Sequence, residues 1–399
     1  MVSRGPSSCQ IASYVAGMLV FGSLNTITTK IQFTMSSRGI DGKEETFSKP
    51  WFGTYNMFTG MFGAFVVQML VRKLCTKGLK GDMGMPLMDA SPNNSADGMS
   101  YRTKVLLVSI PAAFDLAATG LCCVGMLYIP ASVWQMLRGC EIVFAAILAI
   151  TFLKRTMFGF NWLGLLLCVI GVTCVSLSNI WGGSASPGKS DQSKLILGMG
   201  MVVLGQVVQA AQVIAEEWLL KDVDLPEIEI VGYEGMWGLL MMTLIVYPIL
   251  MALPGQDHGH MEDPIDALVM MYNDPALLAM ILVYIFSCAT YNVTGIAVTG
   301  ALSAVHRTML EASRTTIIWG FGLAVHAIDS ESSFGESLTP YSWLQLVGFV
   351  VLLMGQSIYG EMLKIPGLYY PPPAPLSQMM LASPGALMLS SPLPRAKAK

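Results

Sequence analysis

Two arginines lie inside long apolar stretches of this chain, where a formal charge is unusual. Arg138 falls within residues 131–153, and Arg314 falls within residues 301–326. A charge near the centre of a bilayer costs at least about 2.5–3.5 kcal/mol on insertion scales, so such residues commonly line a polar cavity or a solute pathway. The guanidinium fork matches carboxylate and phosphate groups. The two arginines therefore indicate recognition of an anionic group inside a membrane.

Arg138 is flanked by two further polar residues, Gln135 and Glu141. Arg138 and Glu141 are three positions apart, which places them on one helical face and lets them pair. Two interpretations stay open. Either Arg138 contacts an anionic group of a solute, or it forms a structural ion pair that joins this helix to its neighbour.

The stretch around Arg314 carries a charged stripe. Arg307, Glu311 and Arg314 follow one another at spacings of four and three, so Glu311 has two candidate cationic partners on one helical face. Arg314 is the deepest of the three, and we expect it to face a cavity. Arg307 either does the same or extends its side chain to the membrane interface.

A row of amides marks the stretch 195–219. Gln206, Gln209, Gln212 and Glu216 are spaced by three, three and four residues and form one polar stripe. Amides both donate and accept hydrogen bonds, which suits a sugar, a base or an amide-bearing solute. The alternative is that they hold neighbouring helices together. The next residue, Glu217, is expected to lie at the interface and pair with Lys221.

Isolated polar residues occur in four other apolar stretches. The candidate solute-binding residues are Asn25, Asp115, Gln135, Arg138, Gln209, Gln212, Tyr291, Asn292, Glu311 and Arg314. A buried carboxyl group can titrate near neutral pH and carry a coupling proton. The candidates for this coupling role are Asp115, Glu141, Glu216 and Glu234.

The composition indicates a polytopic helical membrane protein. Of 399 residues, 53% are hydrophobic and only 12% are charged, against about 25% charged in a soluble domain. A membrane-spanning helix needs roughly 20 apolar residues. Ten stretches qualify: 11–34, 51–71, 104–128, 131–153, 159–179, 195–219, 232–252, 275–299, 301–326 and 342–360.

Several function classes are disfavoured. The net charge of −3 gives no indication of a nucleic-acid partner. The sequence contains no evident nucleophile–base pair, glycine-rich phosphate loop or metal-ligand spacing, and His258 and His260 alone are too few for a metal site. We therefore expect neither an enzyme nor a bound cofactor or metal. The eight cysteines do not form a disulfide framework, since none falls in a predicted luminal loop.

The distribution of positive charge predicts an orientation. An even number of spans puts both termini on one side. If that side is cytoplasmic, its segments hold fourteen Lys and Arg residues and the opposite side holds five. The positive-inside rule favours this arrangement. The opposite side instead carries an acidic loop at 253–274.

The connections between stretches predict an internal repeat. The third and fourth stretches are joined by almost nothing, and so are the eighth and ninth, while the longest loops follow the second and seventh. This pattern predicts two five-helix repeats of inverted orientation, at 11–179 and 195–360, a common transporter architecture. A short cytoplasmic segment, 1–10, precedes them, and we expect a disordered Pro-rich tail at 361–399.

Short motifs in these stretches resemble the solute carrier 35 family, most closely its F subfamily of member-six-like proteins. The motifs are Gly22-Ser23-Leu24-Asn25-Thr26, Phe114-Asp115, Gln135-Met136-Leu137-Arg138-Gly139, Glu216-Glu217, Glu234-Gly235, Leu302-Ser303-Ala304 and Arg314-Thr315. The resemblance implies a drug/metabolite transporter (EamA-like) fold of ten helices and an endomembrane location. It implies nucleotide-sugar-type exchange in named members and lysosomal or mitochondrial association in the member-six-like branch. The chloroquine-resistance transporter family ranks second, since its loop between the seventh and eighth helices carries cysteines and 253–274 has none.

Taken together, the sequence predicts a secondary transporter of a small anionic or zwitterionic organic solute, working by alternating access across an endomembrane. Its partners are the solute and the lipid bilayer, and a homodimer is also considered. The lysosome or vacuole and the Golgi are the favoured locations, with a mitochondrial membrane as the alternative. The rival functions are a non-transporting membrane scaffold or receptor, and a chloroquine-resistance-transporter-like exporter of peptides or drugs.

Overall fold

A computed structural model of the chain describes residues 7–79, 99–126, 128, 137–179, 181, 192–221, 223, 225–328 and 340–370. The predicted site residue Gln135 lies outside these ranges. In the described residues the helices are α1 (Ser8–Gln32), α2 (Pro50–Leu79), α3 (Tyr101–Leu107), α4 (Ser109–Met126), α5 (Glu141–Thr151), α6 (Gly159–Asn179), α7 (Gln192–Lys221), α8 (Glu227–Met241), α9 (Tyr247–Ala252), α10 (Pro264–Asn273), α11 (Pro275–Ala301), α12 (Ala304–Ile328) and α13 (Ser342–Tyr359). A π-helical turn at Met242–Val246 joins α8 to α9. The strands are β1 (Ser36–Arg38), β2 (Glu44–Thr46) and β3 (Pro254–Asp257).

Seven helical segments in the described residues are long and apolar enough to cross a membrane. They are Ser8–Thr29, Pro50–Leu74, Tyr101–Cys122, Ile196–Lys221, Glu227–Ala252, Pro275–Ala301 and Ser342–Tyr359. Two shorter apolar helices, Glu141–Thr151 and Gly159–Val175, occur as well. Helical structure overlaps each of the ten predicted stretches. The inverted arrangement of ten spans stays a prediction.

The helix starts follow local capping chemistry. Ser7 and Gln10 form a capping box at α1, in which Ser7 Oγ accepts from Gln10 N–H and Gln10 Oε1 accepts from Ser7 N–H at 2.8 Å. Asp263 caps α10 by accepting from the N–H groups of Ile265 and Asp266. These side chains satisfy donors that a helix leaves without a partner at its start.

The chain forms two compact units, and neither matches a predicted repeat. Unit 1 comprises residues 1–116, 225–301 and 314–337, and unit 2 comprises 117–224, 302–313 and 338–399. Each unit therefore combines segments from both 11–179 and 195–360. The physical reason is that helices distant in sequence pack together within a unit.

Unit 1 is built on helix pairs that cross the sequence halves. Helix α1 packs on α11, and α2 packs on both α8 and α11. The contact of α2 with α8 uses glycines, since a Cβ on Gly238 would lie 2.3 Å from the Phe58 ring.

Outside the membrane-length helices, β1 and β2 form an antiparallel hairpin. The hairpin region and residues 253–274 share a buried apolar cluster of Phe47, Phe52, Ala267, Met270, Leu277 and Ile281. We call residues 33–49 together with 253–274 the loop cap.

Unit 2 is held by the contact of α6 with α13 and of α5 with α7. Glycines let the backbones of α6 and α13 approach closely. A Cβ on Gly171 would lie 2.7 Å from both Gly348 O and Leu352 N, and a Cβ on Gly164 would lie 2.7 Å from Gly355 O. Small residues at such contacts allow dense packing between helices in a membrane.

Part of the predicted disordered tail is ordered. Residues 361–370 follow α13, and the Tyr370 ring stacks on Phe160 with centroids 4.6 Å apart. Tyr370 OH also accepts a hydrogen bond from Ile365 N–H at 2.9 Å. The expectation of disorder is therefore wrong for 361–370, because two tyrosines supply an apolar anchor to the start of α6. Residues 371–399 lie outside the described residues.

We predict that Gly171→Ala destabilises the protein by about 1–3 kcal/mol, because the added methyl group meets backbone atoms of α13 that cannot rotate away. Thermal unfolding of the purified full-length chain in detergent measures the loss. Gly200→Ala is the matched control, since a Cβ there meets nothing within 4 Å. Equal melting temperatures for the two variants would show that the close contact has no energetic role.

Candidate functional site

The predicted residues of unit 1 gather around Arg314 on α12. The Arg314 guanidinium carbon lies 5.4 Å from the centre of the Tyr291 ring on α11, a cation–π arrangement. Gly22 on α1 permits this approach, since a Cβ there would lie 2.9 Å from both Arg314 Nη1 and Tyr291 Cδ2. The spacing of these residues in the sequence, 22, 291 and 314, gives no hint of their contact.

Polar groups surround this contact. Ser23 Oγ on α1 and Thr316 Oγ1 on α12 are buried and have no hydrogen-bond partner among the described residues. Asn25 lies beside the Cys288 thiol, which is also within electrostatic reach of Arg314. Buried hydroxyl groups normally bond to protein or ordered water, so each of these two has a hydrogen bond to offer to water or to a solute.

Other predicted residues of unit 1 have different roles. Asp115 on α4 is half-buried and lies within electrostatic reach of Tyr284 and Cys288. The Asn292 amide donates to Cys288 O within its own helix at 2.9 Å. One N–H group of the Asn292 side-chain amide is therefore used for a hydrogen bond within α11. Glu234 is buried in α8, with 1% of its surface exposed.

The predicted residues of unit 2 form a second cluster, centred on Arg307. Arg307 Nη1 forms an ion pair with Glu216 Oε2 of α7, and Arg307 Nε bonds Glu311 Oε1 at 3.2 Å. Arg307 has 6% of its surface exposed. The alternative in which its side chain extends to the interface is therefore wrong, because two carboxylates hold it inside.

The amide stripe of α7 continues this cluster. Gln209 Nε2 donates to Gln212 Oε1, and Gln212 Nε2 donates to Glu216 Oε1 at 3.1 Å. Gln206 Nε2 donates to Cys122 Sγ on α4 at 3.4 Å. The stripe thus forms a hydrogen-bonded row along one helix that ends at the buried carboxylate of Glu216.

The residues around Arg138 are placed in unit 2. Glu141 begins α5 and is buried, while Arg138 just before it is half-buried. Both charges lie within electrostatic reach of the Cys122 thiol. The described geometry thus divides the predicted residues between the two units, and α12 supplies Glu311 to one and Arg314 to the other.

A third group, around Glu217, was only partly foreseen. Glu217 is fully buried within the protein, four residues before the end of α7. Its Oε1 pairs with Arg155 and, as predicted, with Lys221, at 2.8 Å. Its Oε2 accepts from Ala304 N–H at 2.9 Å, at the start of α12. The i, i+4 spacing identified Lys221, whereas no local signal identifies Arg155.

The loop cap of unit 1 contains a buried ionic cluster that sequence reasoning missed. Lys49 Nζ pairs with Asp257 and, at 2.8 Å, with Asp266, whose side chain is fully buried. Burial alone would lower the pKa of Lys49, but hydrogen bonds to the two carboxylates raise it above its ordinary value. Burial alone would raise the pKa of Asp266, but the bonds from Lys49 and from Ile40 N–H hold it below its ordinary value. Both groups are therefore charged at neutral pH.

The Glu262 side chain, in the 253–274 part of the loop cap, caps the start of α2. Its carboxylate accepts from Phe52 N–H at 2.6 Å and from Trp51 N–H at 3.0 Å. Burial raises the pKa of Glu262 to about 7; these backbone hydrogen bonds and the charge of Lys49 oppose the rise, and the charge of Asp257 adds to it. Glu262 therefore titrates in the range where cellular compartments differ in pH.

Comparison with known proteins gives a consistent result. A family model described as nucleotide-sugar transporter matches residues 90–228. Solute carrier family 35 member F6 of Homo sapiens is 30% identical over 353 residues, covering 87% of this chain and 88% of that protein. The protein of the same name from Rattus norvegicus is 30% identical over 352 residues, covering 87% of each chain. An uncharacterized protein of Schizosaccharomyces pombe is 34% identical over 276 residues, covering 68% of this chain and 79% of its own length.

The chain belongs to the solute carrier 35 family. Its membership makes it a multi-pass membrane protein of a solute-transporting family, in agreement with the seven membrane-length helices. The family-model match spans α3 to α7 and therefore includes the amide row of α7 together with Arg155, Glu217 and Lys221.

For this solute carrier 35 protein, we predict that Glu216→Gln lowers stability by about 3–5 kcal/mol, because loss of one partner from a buried ion pair leaves the other charge poorly compensated. Thermal unfolding in detergent measures the effect. The matched control is Glu227→Gln, an exposed glutamate of α8, which we expect to be near neutral. In a double-mutant cycle with Arg307→Gln, the two losses should not add. Additive losses would mean that the pair does not couple.

We also predict that the loop cap becomes less stable as pH rises from about 4.5 to 7. The folded-state pKa of Glu262 is raised to about 7, so the folded form binds its proton more tightly than the unfolded chain. The stability that this proton contributes is fully present below pH 4.5 and is lost as pH passes 7, on the order of 3 kcal/mol in all. The charges facing Glu262 are Lys49 and Asp257, with the Tyr247 hydroxyl nearby.

Unfolding of the wild-type protein and of Glu262→Gln, compared between pH 5 and 8, tests this pH dependence. The amide variant keeps an acceptor for the N–H groups of Trp51 and Phe52 but does not titrate. The free energy of unfolding should therefore fall with rising pH in the wild type but not in Glu262→Gln, so the difference in this free energy between the two proteins should grow with pH. A constant difference across this range would rule out Glu262 as the source.

Proposed function

We propose that this protein is a secondary transporter that moves a small anionic or zwitterionic organic solute across an endomembrane by alternating access. Arg314 and its neighbours on α1 and α11 bind the solute. The solute-carrying family to which the chain belongs supports transport, and the geometry around Arg314 supports the class of solute.

The observation that carries the proposal is the depth of Arg314. It lies ten residues after the start of α12 at Ala304, which corresponds to about 15 Å along a helix. That is about half of the roughly 30 Å thickness of the hydrocarbon core. Helix α12 is not among the seven membrane-length segments of the described residues, and that it spans the membrane is part of this proposal. In such a span the Arg314 side chain is too short to reach either interface, so polar groups or water compensate its charge at that depth.

The chemistry of the surrounding groups supports an anion or a zwitterion. A guanidinium can bind a carboxylate or phosphate through two parallel hydrogen bonds. Asp115 and Arg314 both lie within electrostatic reach of the Cys288 thiol. Asp115 offers a negative charge to a solute that carries an amine. The hydroxyls of Ser23 and Thr316 add hydrogen-bonding groups on α1 and α12. Asn25 and Tyr291 complete this set.

The carboxylates supply candidates for coupling. In this proposal Asp115, Glu141, Glu216 and Glu234 are the groups that bind or release a coupling proton. Glu216 is the leading candidate, since it is buried at the end of the amide row and shares Arg307 with Glu311. A proton on Glu216 would weaken its bond with Arg307 and alter the contact of α7 with α12. Exchange of one solute for another is the alternative mode of coupling.

The relatives support an organic solute of moderate size. The family model that matches residues 90–228 is described as a nucleotide-sugar transporter, and such substrates are anionic. We place the protein in a lysosomal, vacuolar or Golgi membrane on the strength of its resemblance to the member-six-like proteins of the family. We place both termini in the cytoplasm on the strength of the positive-charge distribution.

We predict that Arg314→Gln abolishes solute flux while leaving the protein folded. Purified protein in liposomes, screened against a panel of organic anions and zwitterions with and without a pH gradient, measures the flux. Arg314→Lys keeps the charge but loses the fork, so we expect partial activity from it. Arg38→Gln is the matched control, because Arg38 is an exposed residue of β1 in the loop cap.

Flux by Arg314→Gln equal to that of Arg38→Gln would refute the assignment of the site. A scaffold or receptor gives a different result. In that case no solute in the panel would move, and deletion of residues 371–399 would abolish binding of a cellular partner while wild-type and Arg314→Gln proteins bound it equally.

A further inference from the structure

The loop cap of unit 1 contains a group of ligand atoms that the transport function does not use. Asp257, His258 and Asp266 each offer one such atom, and the three lie within 4.8 Å of one another. His258 Nε2 is 3.4 Å from Asp266 Oδ1 and 4.0 Å from Asp257 Oδ1. Two ligand atoms on one tetrahedral Zn²⁺ are about 3.4 Å apart, given bonds of about 2.0–2.2 Å. The distance between His258 and Asp266 matches this value, and the wider ones, up to 4.8 Å, require the carboxylates to move inward on a bound cation.

The surroundings of His258 are those of a metal-bound imidazole. Its Nδ1 is 3.3 Å from Asp41 Oδ2, and a carboxylate behind the imidazole is the usual companion of a histidine ligand. Its Nε2 is buried and forms no hydrogen bond, although a carboxylate oxygen is near. A buried imidazole nitrogen that faces two carboxylate oxygens has the neighbours of a cation ligand.

Charge balance points the same way. His258, Asp41, Asp257 and Asp266 are accompanied by one cation, Lys49, which binds the Oδ2 atoms of Asp257 and Asp266. Three carboxylates and one ammonium leave a charge of −2 when the imidazole is neutral. The Lys49 bonds use the Oδ2 atoms, whereas His258 faces the Oδ1 atoms, and Asp266 Oδ1 also accepts from Ile40 N–H at 2.8 Å. A divalent ion would therefore bind on the Oδ1 side of the two carboxylates. With 19% of the His258 side chain exposed, an ion has a route to the site.

We infer that Asp257, His258 and Asp266 form a site for a divalent transition-metal ion, best suited to Zn²⁺, with Asp41 positioning the histidine. A nitrogen and two carboxylate oxygens, with water in the fourth position, are a common ligand set for this ion. The ion would connect the hairpin turn that holds Asp41, the end of β3 and helix α10. The expectation of no metal site came from sequence spacing alone, which does not show that position 266 returns to positions 257 and 258.

Zinc titration of the chelator-treated full-length protein in detergent, followed by calorimetry, tests the inference. We expect one site in the wild-type protein that His258→Ala abolishes. His260→Ala is the matched control, because His260 lies in the same loop and its Nδ1 is 2.5 Å from Met251 O; it should keep the site. Asp41→Asn should weaken binding about 10–100-fold, the usual effect of removing the group that orients a histidine ligand.

Thermal unfolding with and without Zn²⁺ separates binding from folding defects. Zinc should raise the melting temperature of the wild-type and His260→Ala proteins but not that of His258→Ala, whose metal-free melting temperature should match the wild type. Equal zinc binding by wild type and His258→Ala, or no binding by the wild type at micromolar zinc, would overturn the inference. Neither result depends on solute flux, so the proposed transport function stands or falls separately.

Discussion

The cost of removing charge from water governs this structure more than any other term. A buried ion that loses its partner destabilises a protein by several kcal/mol, and Glu216, Glu217 and Asp266, all buried, are each ion-paired. Glu217 is fully buried and meets Arg155, Lys221 and the first N–H of α12. Because each partner must lie within hydrogen-bonding distance, these requirements fix the ends of helices. The start of α12, for example, is held to the end of α7 by one carboxylate.

The sequence predicts what depends on neighbours along a helix. Long apolar stretches identified the helices, because a membrane-length helix needs continuous apolar sequence. Spacings of three and four identified the bonds of Arg307 with Glu311, of Glu217 with Lys221, and of Gln212 with Glu216. Each of these pairs lies on a single helix, so the helical period alone brings its members together.

The helical period does not identify hydrogen-bond or ion-pair partners that lie on different helices. Glu216 and Arg307 are 91 residues apart, and Lys49 and Asp257 are 208 apart. The hydrophobic period of a sequence indicates which face of a helix is apolar but not which other helix packs against that face. The choice of neighbour depends on surface shape, such as the close approach of Gly171 to α13. For the same reason the two compact units could not be derived from the repeat pattern. The anchoring of residues 361–370 by Tyr370 was missed because composition alone was used to assign that tail.

Helix α12 shows how one element can combine two kinds of arginine. Arg307 is held edge-on by two carboxylates, an arrangement that uses its N–H groups for structure. Arg314 lies seven residues further along, about 10.5 Å by helical rise, and its guanidinium carbon lies over the Tyr291 ring, 5.4 Å from the ring centre. The planar fork of a guanidinium matches a carboxylate or phosphate. The two arginines have the same chemistry and similar apolar surroundings, so their residue type does not separate a structural role from a binding role. Their contacts differ, because Arg307 is bonded to two carboxylates, whereas Arg314 lies over an aromatic ring.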